Sequence, residues 1–212
     1  MLRIETLTVG PLETNCYLFA PVSPTGEVVI VDPGAEPEAI LDAVSRLELK
    51  VAAILLTHGH VDHMAAAAAV REATGAPVHI HTADASMVRK PDPYWASLVG
   101  GVEPCEVDVE LAGDEQLHLA DVDLQVIHTP GHSPGSICYM VGDTLFSGDT
   151  LFAGSIGRTD LPGGDDGVMQ ASLAWLTAEV TGETRVLPGH GPETTMQAEC
   201  QANPFLQDLP AR

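Results

Sequence analysis

Three imidazoles and a carboxylate fall within six consecutive positions, His58, His60, Asp62 and His63, in the segment Thr57-His58-Gly59-His60-Val61-Asp62-His63. That segment directly follows an apolar run, Val51 to Leu56, which by length and composition reads as a buried strand. An alanine-rich stretch from Met64 to Thr74, closed by Gly75 with Pro77 beyond, reads as the helix after it. A strand end running into a helix start makes a tight turn, so these side chains can fan toward one point. Gly59 lets the backbone bend between them without a clashing Cβ. Imidazole nitrogen and carboxylate oxygen are donors that zinc, iron and manganese accept. A histidine tag or a solvated histidine loop would lack this strand–turn–helix frame.

Three more segments repeat the pattern. Thr129-Pro130-Gly131-His132 follows the run Val122 to His128, Ser147-Gly148-Asp149 follows Thr144 to Phe146, and Pro188-Gly189-His190-Gly191 follows Arg185 to Leu187. Each sets one donor-type residue beside glycine at a strand end, where loops gather on the rim of a sheet and functional residues concentrate. A single histidine or aspartate in such a place is usually structural. Four coordinated instances point to a metal site.

The rest of the chain supplies the scaffold. Met1 to Glu5 alternates like a strand, and Glu27 to Val31 is an apolar run entered through Ser23-Pro24-Thr25-Gly26. Glu36-Pro37-Glu38 opens a helix with Ile40, Val44 and Leu47 on one face. Pro77 to His81 is a short strand, and Pro91 to Pro104 a surface excursion. Strands then dominate: Gln116 to Leu119, Val122 to His128, Ile137 to Val141 and Thr144 to Phe146, with a hairpin at Gly142-Asp143. Met169, Leu173, Leu176 and Val180 mark an amphipathic helix. Both halves run from strands to helix, so two packed sheets with helices outside accommodate them in one domain, 1–212.

Thirty Asp and Glu stand against nine Lys and Arg, a net charge of −21. Such a surface repels phosphate backbones and anionic headgroups, so neither nucleic acid nor membrane is the expected partner. An anionic small-molecule substrate then needs local cations. No stretch approaches the ~18 apolar residues of a membrane helix, and the N-terminus lacks the apolar core of a signal peptide. Cys16, Cys105, Cys138 and Cys200 are widely spaced, and Cys16 and Cys138 read as small buried hydrophobes; a reduced cytoplasmic setting is expected.

Together these motifs resemble the metallo-β-lactamase superfamily, and within it the short glyoxalase II-like (hydroxyacylglutathione hydrolase-like) branch. The resemblance implies an α/β, four-layer αββα sandwich holding two divalent ions, zinc first, with iron or manganese as alternatives. It assigns His58, His60 and His132 to one ion, Asp62, His63 and His190 to the other, and Asp149 to both. Asp32, in Val31-Asp32-Pro33-Gly34, matches a family position that supports the donor turn from outside. The implied chemistry is hydrolysis of an S-acyl thiol ester by a water bridging the ions, its pKa lowered toward ~7, with Asp62 and Asp149 orienting it. A thiolate leaves without a strong general acid. Arg158, in the segment after Asp149, matches a family cation that contacts the thiol carrier's carboxylate; the aromatics that usually follow are replaced by Thr159-Asp160-Leu161.

The remaining histidines stay outside this set. His79 and His81 alternate on one strand and belong on a polar face, and His118 on the surface. His128 shares a face with Val122, Leu124 and Val126 and is expected buried and hydrogen-bonded behind the donors. Tyr139 and Trp175 read as core aromatics. Rival readings on the same motifs are a persulfide dioxygenase with one iron on His58, His132 and Asp149, a lactonase or β-lactamase-type hydrolase, and a non-catalytic metal-binding module.

Overall fold

The computed structural model describes residues 2–22, 26–207 and 209; the turn expected at Ser23-Pro24-Thr25 lies outside them. The N-terminal half forms β1 (Leu2–Val9), β2 (Thr14–Pro21), β3 (Glu27–Val31), α1 (Pro37–Leu47), β4 (Lys50–Leu55), α2 (Val61–Met64), α3 (Ala67–Thr74), β5 (Val78–His81), α4 (Ala85–Arg89), α5 (Pro93–Leu98) and β6 (Val109–Leu111). The C-terminal half forms β7 (Gln116–Leu119), β8 (Val122–His128), β9 (Ile137–Val141), β10 (Thr144–Gly148), β11 (Leu151–Phe152), β12 (Ser155–Ile156), α6 (Asp166–Glu179), β13 (Arg185–Pro188), β14 (Thr194–Thr195), α7 (Met196–Ala202) and α8 (Pro204–Gln207).

Strands β1 to β6 lie side by side in sequence order in one sheet, and a second sheet runs β14-β13-β10-β9-β8-β7. Each sheet joins an antiparallel meander to a parallel crossover, β3–β4 over α1 and β10–β13 over α6. Odd and even residues of the inner strands serve different cores. In β2, Cys16 and Leu18 face the layer of α1 and α3, while Tyr17 and Phe19 face the other sheet. In β9 and β10, Tyr139 and Phe146 enter the inter-sheet core, whereas Cys138 and Leu145 meet α6 through Met169, Leu173 and Leu176. Three stacked cores make four layers, the expected αββα order. Burial on both faces explains why these strands read as continuous apolar runs rather than alternating ones. Phe19 and Phe146 stack at 5.1 Å in the central core, where truncating either to alanine costs about 3–5 kcal/mol.

Several expectations are corrected. The helix expected over Met64 to Thr74 is two helices: α2 begins earlier, at Val61, and the chain steps at Ala65 and Ala66, whose amide donates to the Pro33 carbonyl at 2.9 Å. The Pro91 to Pro104 excursion contains α5, capped by the Asp92 carboxylate, which accepts from the Tyr94 and Trp95 amides, with Pro93 in the first turn. His79 and His81 are buried, not on a polar face, because β5 sits inside a sheet covered on both sides. His128 is exposed rather than buried. Its β8 end runs past the inter-sheet core, so the ring stacks on His81 at 4.1 Å and donates from Nε2 to the Pro134 carbonyl at 3.0 Å. His118 is exposed as expected, paired with Asp123, and Tyr139 is buried with its hydroxyl donating to the Leu56 carbonyl. Cys16 and Cys138 are buried, and Trp175 is half-buried against α6's core. No described helix is long and apolar enough to cross a membrane.

Candidate metal centre

Strands β3, β4, β8, β10 and β13 end on one rim, and the structure brings the donor residues of all four motifs together there. Asp32, at the end of β3, is buried with φ +50°, a conformation few non-glycine residues adopt. Its Oδ1 accepts the Thr57 amide at 2.7 Å, and Oδ2 accepts the Thr57 hydroxyl at 2.7 Å and His63 Nδ1 at 2.9 Å. One carboxylate thus fixes both ends of the donor turn. Gly59 is needed for close approach rather than bending: a Cβ there would lie 2.9 Å from that of Met87. A Cβ at Gly189 would overlap Asp149 Oδ1 and His63 Cε1, so only glycine lets β13's end pass the cluster.

The hydrogen bonds settle which nitrogens face inward. Asp32 can only accept, so His63 carries a proton on Nδ1 and turns its Nε2 toward the cluster. The Thr57 hydroxyl gives its proton to Asp32 and therefore accepts from His58 Nδ1 at 3.1 Å, leaving His58 Nε2 bare. His132 Nδ1 donates to the Arg158 carbonyl at 2.7 Å, leaving His132 Nε2 bare. These inward atoms crowd one another. His60 Nδ1 lies 3.0 Å from His58 Nε2 and 2.8 Å from His132 Nε2. His63 Nε2 lies 3.3 Å from His190 Nε2 and 3.5 Å from Asp62 Oδ2. Tetrahedral bonds of ~2.05 Å put an ion's donors ~3.3 Å apart, so this spacing suits coordination.

Asp149 lies between the two groups. Its Oδ1 is buried with no hydrogen-bond donor, 3.3 Å from His63 Nε2, while Oδ2 lies 3.4 Å from His132 Nε2 and 3.6 Å from His190 Nε2. A buried anionic oxygen facing ring nitrogens is satisfied by a cation shared between them. The electrostatics agree. Burial, then the neighbouring imidazoles, lowers His58 well below its ordinary pKa and His60 to about 4. Burial also works against charge on His63, but Asp149, Asp62 and Asp32 outweigh it and raise its pKa well above 6.5. Burial pushes Asp62 and Asp149 up, and the charge of His63 more than reverses this, holding both carboxyls low. Acidic neighbours that retain a proton on His63 would equally retain a metal ion.

Further residues brace the rim without any motif to announce them. Asp84 is fully buried; its Oδ2 accepts the Gly59 amide at 2.9 Å and the Ser133 hydroxyl at 2.6 Å, and Oδ1 accepts the Gly135 amide at 2.8 Å. From β2, Asn15 donates to the carbonyls of Pro188 and Gly191, Tyr17 donates to Pro188, and Thr14 donates to Asp62 Oδ2 at 3.1 Å. Polar Thr14 and Asn15 at the head of an apolar strand were the available signal. The cluster floors a cavity of about 800 Å³ lined by Leu12, Met87, Lys90, Trp95, Phe152 and Arg158, among others. Arg158 is exposed there, with its guanidinium paired to Asp160 at 2.7 and 2.8 Å.

A four-layer αββα chain with imidazole and carboxylate donors converging beneath a cavity has the makings of a metal-dependent enzyme of the hydrolase type. Residues 9–190 match the metallo-beta-lactamase superfamily, and the chain belongs to it. It is 37% identical to the probable metallo-hydrolase YqgX of Bacillus subtilis, over 97% of this chain and 98% of that one. It is 30% identical to the hydroxyacylglutathione hydrolase GloC of Haemophilus influenzae, with the same coverage of each chain. Among solved structures it is similar to BLEG-1 B3 metallo-beta-lactamase, at TM-score 0.88 and 39% identity over 97% of this chain and 100% of that one. It is also similar to TTHA1623 in a di-iron-bound form, at TM-score 0.85 and 40% identity over 95% and 100%. The superfamily binds divalent metals, and the TTHA1623 structure holds two irons.

Proposed function

We propose that the chain is a two-metal thioester hydrolase, acting on S-acyl glutathione or a similar thiol ester in the cytoplasm as one domain. The observation that carries this is the placement of Asp149 between two donor triads, His58–His60–His132 and Asp62–His63–His190. These seven residues would hold two divalent ions, zinc first. Such a pair supplies a Lewis acid for the acyl carbonyl and a water of lowered pKa for attack. Asp62, whose Oδ2 accepts from the Thr14 hydroxyl, would help hold the ions and orient such a water toward the cavity. Asp32 and the Arg158 carbonyl hold His63 and His132 in the tautomers that leave Nε2 free. A thiolate departs unaided, which suits a cavity where, among the described lining residues, the one carboxylate beyond the donors is Asp92, whose Oδ1 caps α5. Arg158 stands where it can share its charge with a carboxylate on the thiol carrier. Likeness to GloC supports the thioester; likeness to ETHE1 from Myxococcus xanthus (TM-score 0.81, 28% identity, 95% of this chain and 83% of that one) motivates the control. Metal analysis of the purified protein, with S-lactoylglutathione hydrolysis measured beside oxygen uptake on glutathione persulfide, tests it. Two metal equivalents with hydrolysis support the proposal. One iron with oxygen uptake and no hydrolysis overturns it.

A further inference from the structure

One wall of the cavity is apolar and belongs to no donor motif. Met87 on α4, Trp95 and Leu98 on α5, and Leu12 in the β1–β2 turn line it, and Leu12 and Leu98 remain 47% and 49% exposed. Lys90 stands on this wall, between α4 and α5. Arg46, Arg71, Arg89, Arg158 and Arg185 each hold a carboxylate at 2.7 Å, whereas Lys90, like Arg3 and Lys50, makes no such pair among the described residues, and of these three only Lys90 lines the cavity. The nearby Asp92 carboxylate is committed to the Tyr94 and Trp95 amides. In a chain of net charge −21, a cation left unpaired at the edge of an apolar cavity wall marks a place for a ligand's anion.

We infer that the α4–α5 wall binds an acyl arm made of an apolar chain ending in a carboxylate, with Lys90 holding the carboxylate and Met87, Trp95 and Leu98 packing along the chain. This rests on the thioesterase reading, and it names the acyl side: Arg158, which lines the cavity with Phe152 and Ile156 from the C-terminal half, is left for the thiol carrier. Preferred substrates are therefore ω-carboxyacyl thioesters of medium length rather than small hydroxyacyl ones. Each methylene fully seated on the wall tightens binding by about fourfold, and the Lys90 ion pair adds about fivefold.

The test uses the metal-loaded full chain, with the acetyl, hexanoyl and adipoyl thioesters of glutathione as substrates and free adipate and hexanoate as calorimetric ligands. Expected results are a KM falling from acetyl to hexanoyl to adipoyl. Lys90→Gln should raise KM for the adipoyl compound about fivefold while leaving hexanoyl unchanged, and Trp95→Ala should raise both. Adipate binding should weaken in Lys90→Gln while hexanoate binding does not. If the three thioesters are cleaved with equal KM, and Lys90→Gln alters none, the inference falls and the thioesterase reading stands. If none is cleaved but adipate still loses affinity in Lys90→Gln, the acyl-type subsite stands and the thioesterase reading falls.

Discussion

The carboxylate of Asp84 accepts the amide of Gly59 across 2.9 Å, tying the α4 region to the middle of the donor turn. The same carboxylate holds Ser133 and the Gly135 amide, so it joins two donor loops that are far apart in sequence. Asp84→Ala would leave the buried Gly59 and Gly135 amides unmatched and the Ser133 hydroxyl with Ser136 alone. The expected loss is about 3 kcal/mol, a fall in Tm of about 6–12 °C for a chain of this size. Asp84→Asn should lose less, since its remaining oxygen still accepts. Thermal denaturation with metal titration checks this, and metal affinity should fall along with Tm.

Asp32→Asn tests the outer hold on His63. The amide keeps one acceptor where the carboxylate serves three donors, so His63 and Thr57 compete for it. Metal affinity should drop about 10- to 100-fold with the αββα fold retained, read by competition with a chromogenic chelator and by circular dichroism. Unchanged affinity would remove Asp32 from the supporting role.

Asp149→Ala should lose both ions together, because its two oxygens face both triads. His190→Ala should weaken the second ion only, since His190 contacts Asp62 and His63 but not His58 or His60. Elemental analysis after dialysis decides; two full equivalents on Asp149→Ala would refute the bridging assignment.

The metal-free protein should lose stability as pH falls from 6.5 toward 4. His60 titrates at about 4 when folded against 6.5 unfolded, chiefly because it is buried and then because His132 adjoins it. The unfolded chain therefore binds more protons across that window, so stability rises with pH there, by about 3 kcal/mol in all. His58 adds in the same direction. His63 has a raised pKa, so its contribution is complete below 6.5 and is lost only as pH climbs through the higher value. Urea denaturation of chelator-treated protein at pH 4.5, 5.5 and 6.5 measures the slope, and His60→Gln should flatten it.

Arg158 and Asp160 give an opposed pair. Arg158→Ala should raise KM for an anionic thiol conjugate with a smaller change in kcat, the pattern of lost uniform binding. Asp160→Asn frees the guanidinium from its partner and should lower that KM. Equal effects of Arg158→Ala on a neutral thioester would make the residue structural.

The donor set was legible because coordination needs particular residue types, and His58, His60, Asp62, His63, His132, Asp149 and His190 stood beside glycines at strand ends. The sheets were legible because burial on both faces demands unbroken apolar runs such as Val51 to Leu56. Asp84 was not, since a single aspartate after β5 has no local pattern and gains meaning only from amides that folding brings to it. His128 misled because alternation along β8 reports which face a residue takes, not whether a neighbouring layer extends far enough to cover it. The α4–α5 wall was hidden for a related reason: two short helices leave too few turns for a 3.6-residue period to show, although Asp92-Pro93 carried a capping signal.

The order in which the chain is made has its own consequence. Residues 58–63 leave the ribosome early, whereas His190 comes near the end, and each triad draws on both halves. A half-synthesised chain can hold a divalent ion only with the loose, exchangeable contacts of a flexible histidine segment. In the proposed centre the second triad is completed only when β13 has crossed over α6 and docked beside β10, bringing in His190. A two-ion centre of this kind would therefore choose between competing metals with the folded rim rather than with its first histidines.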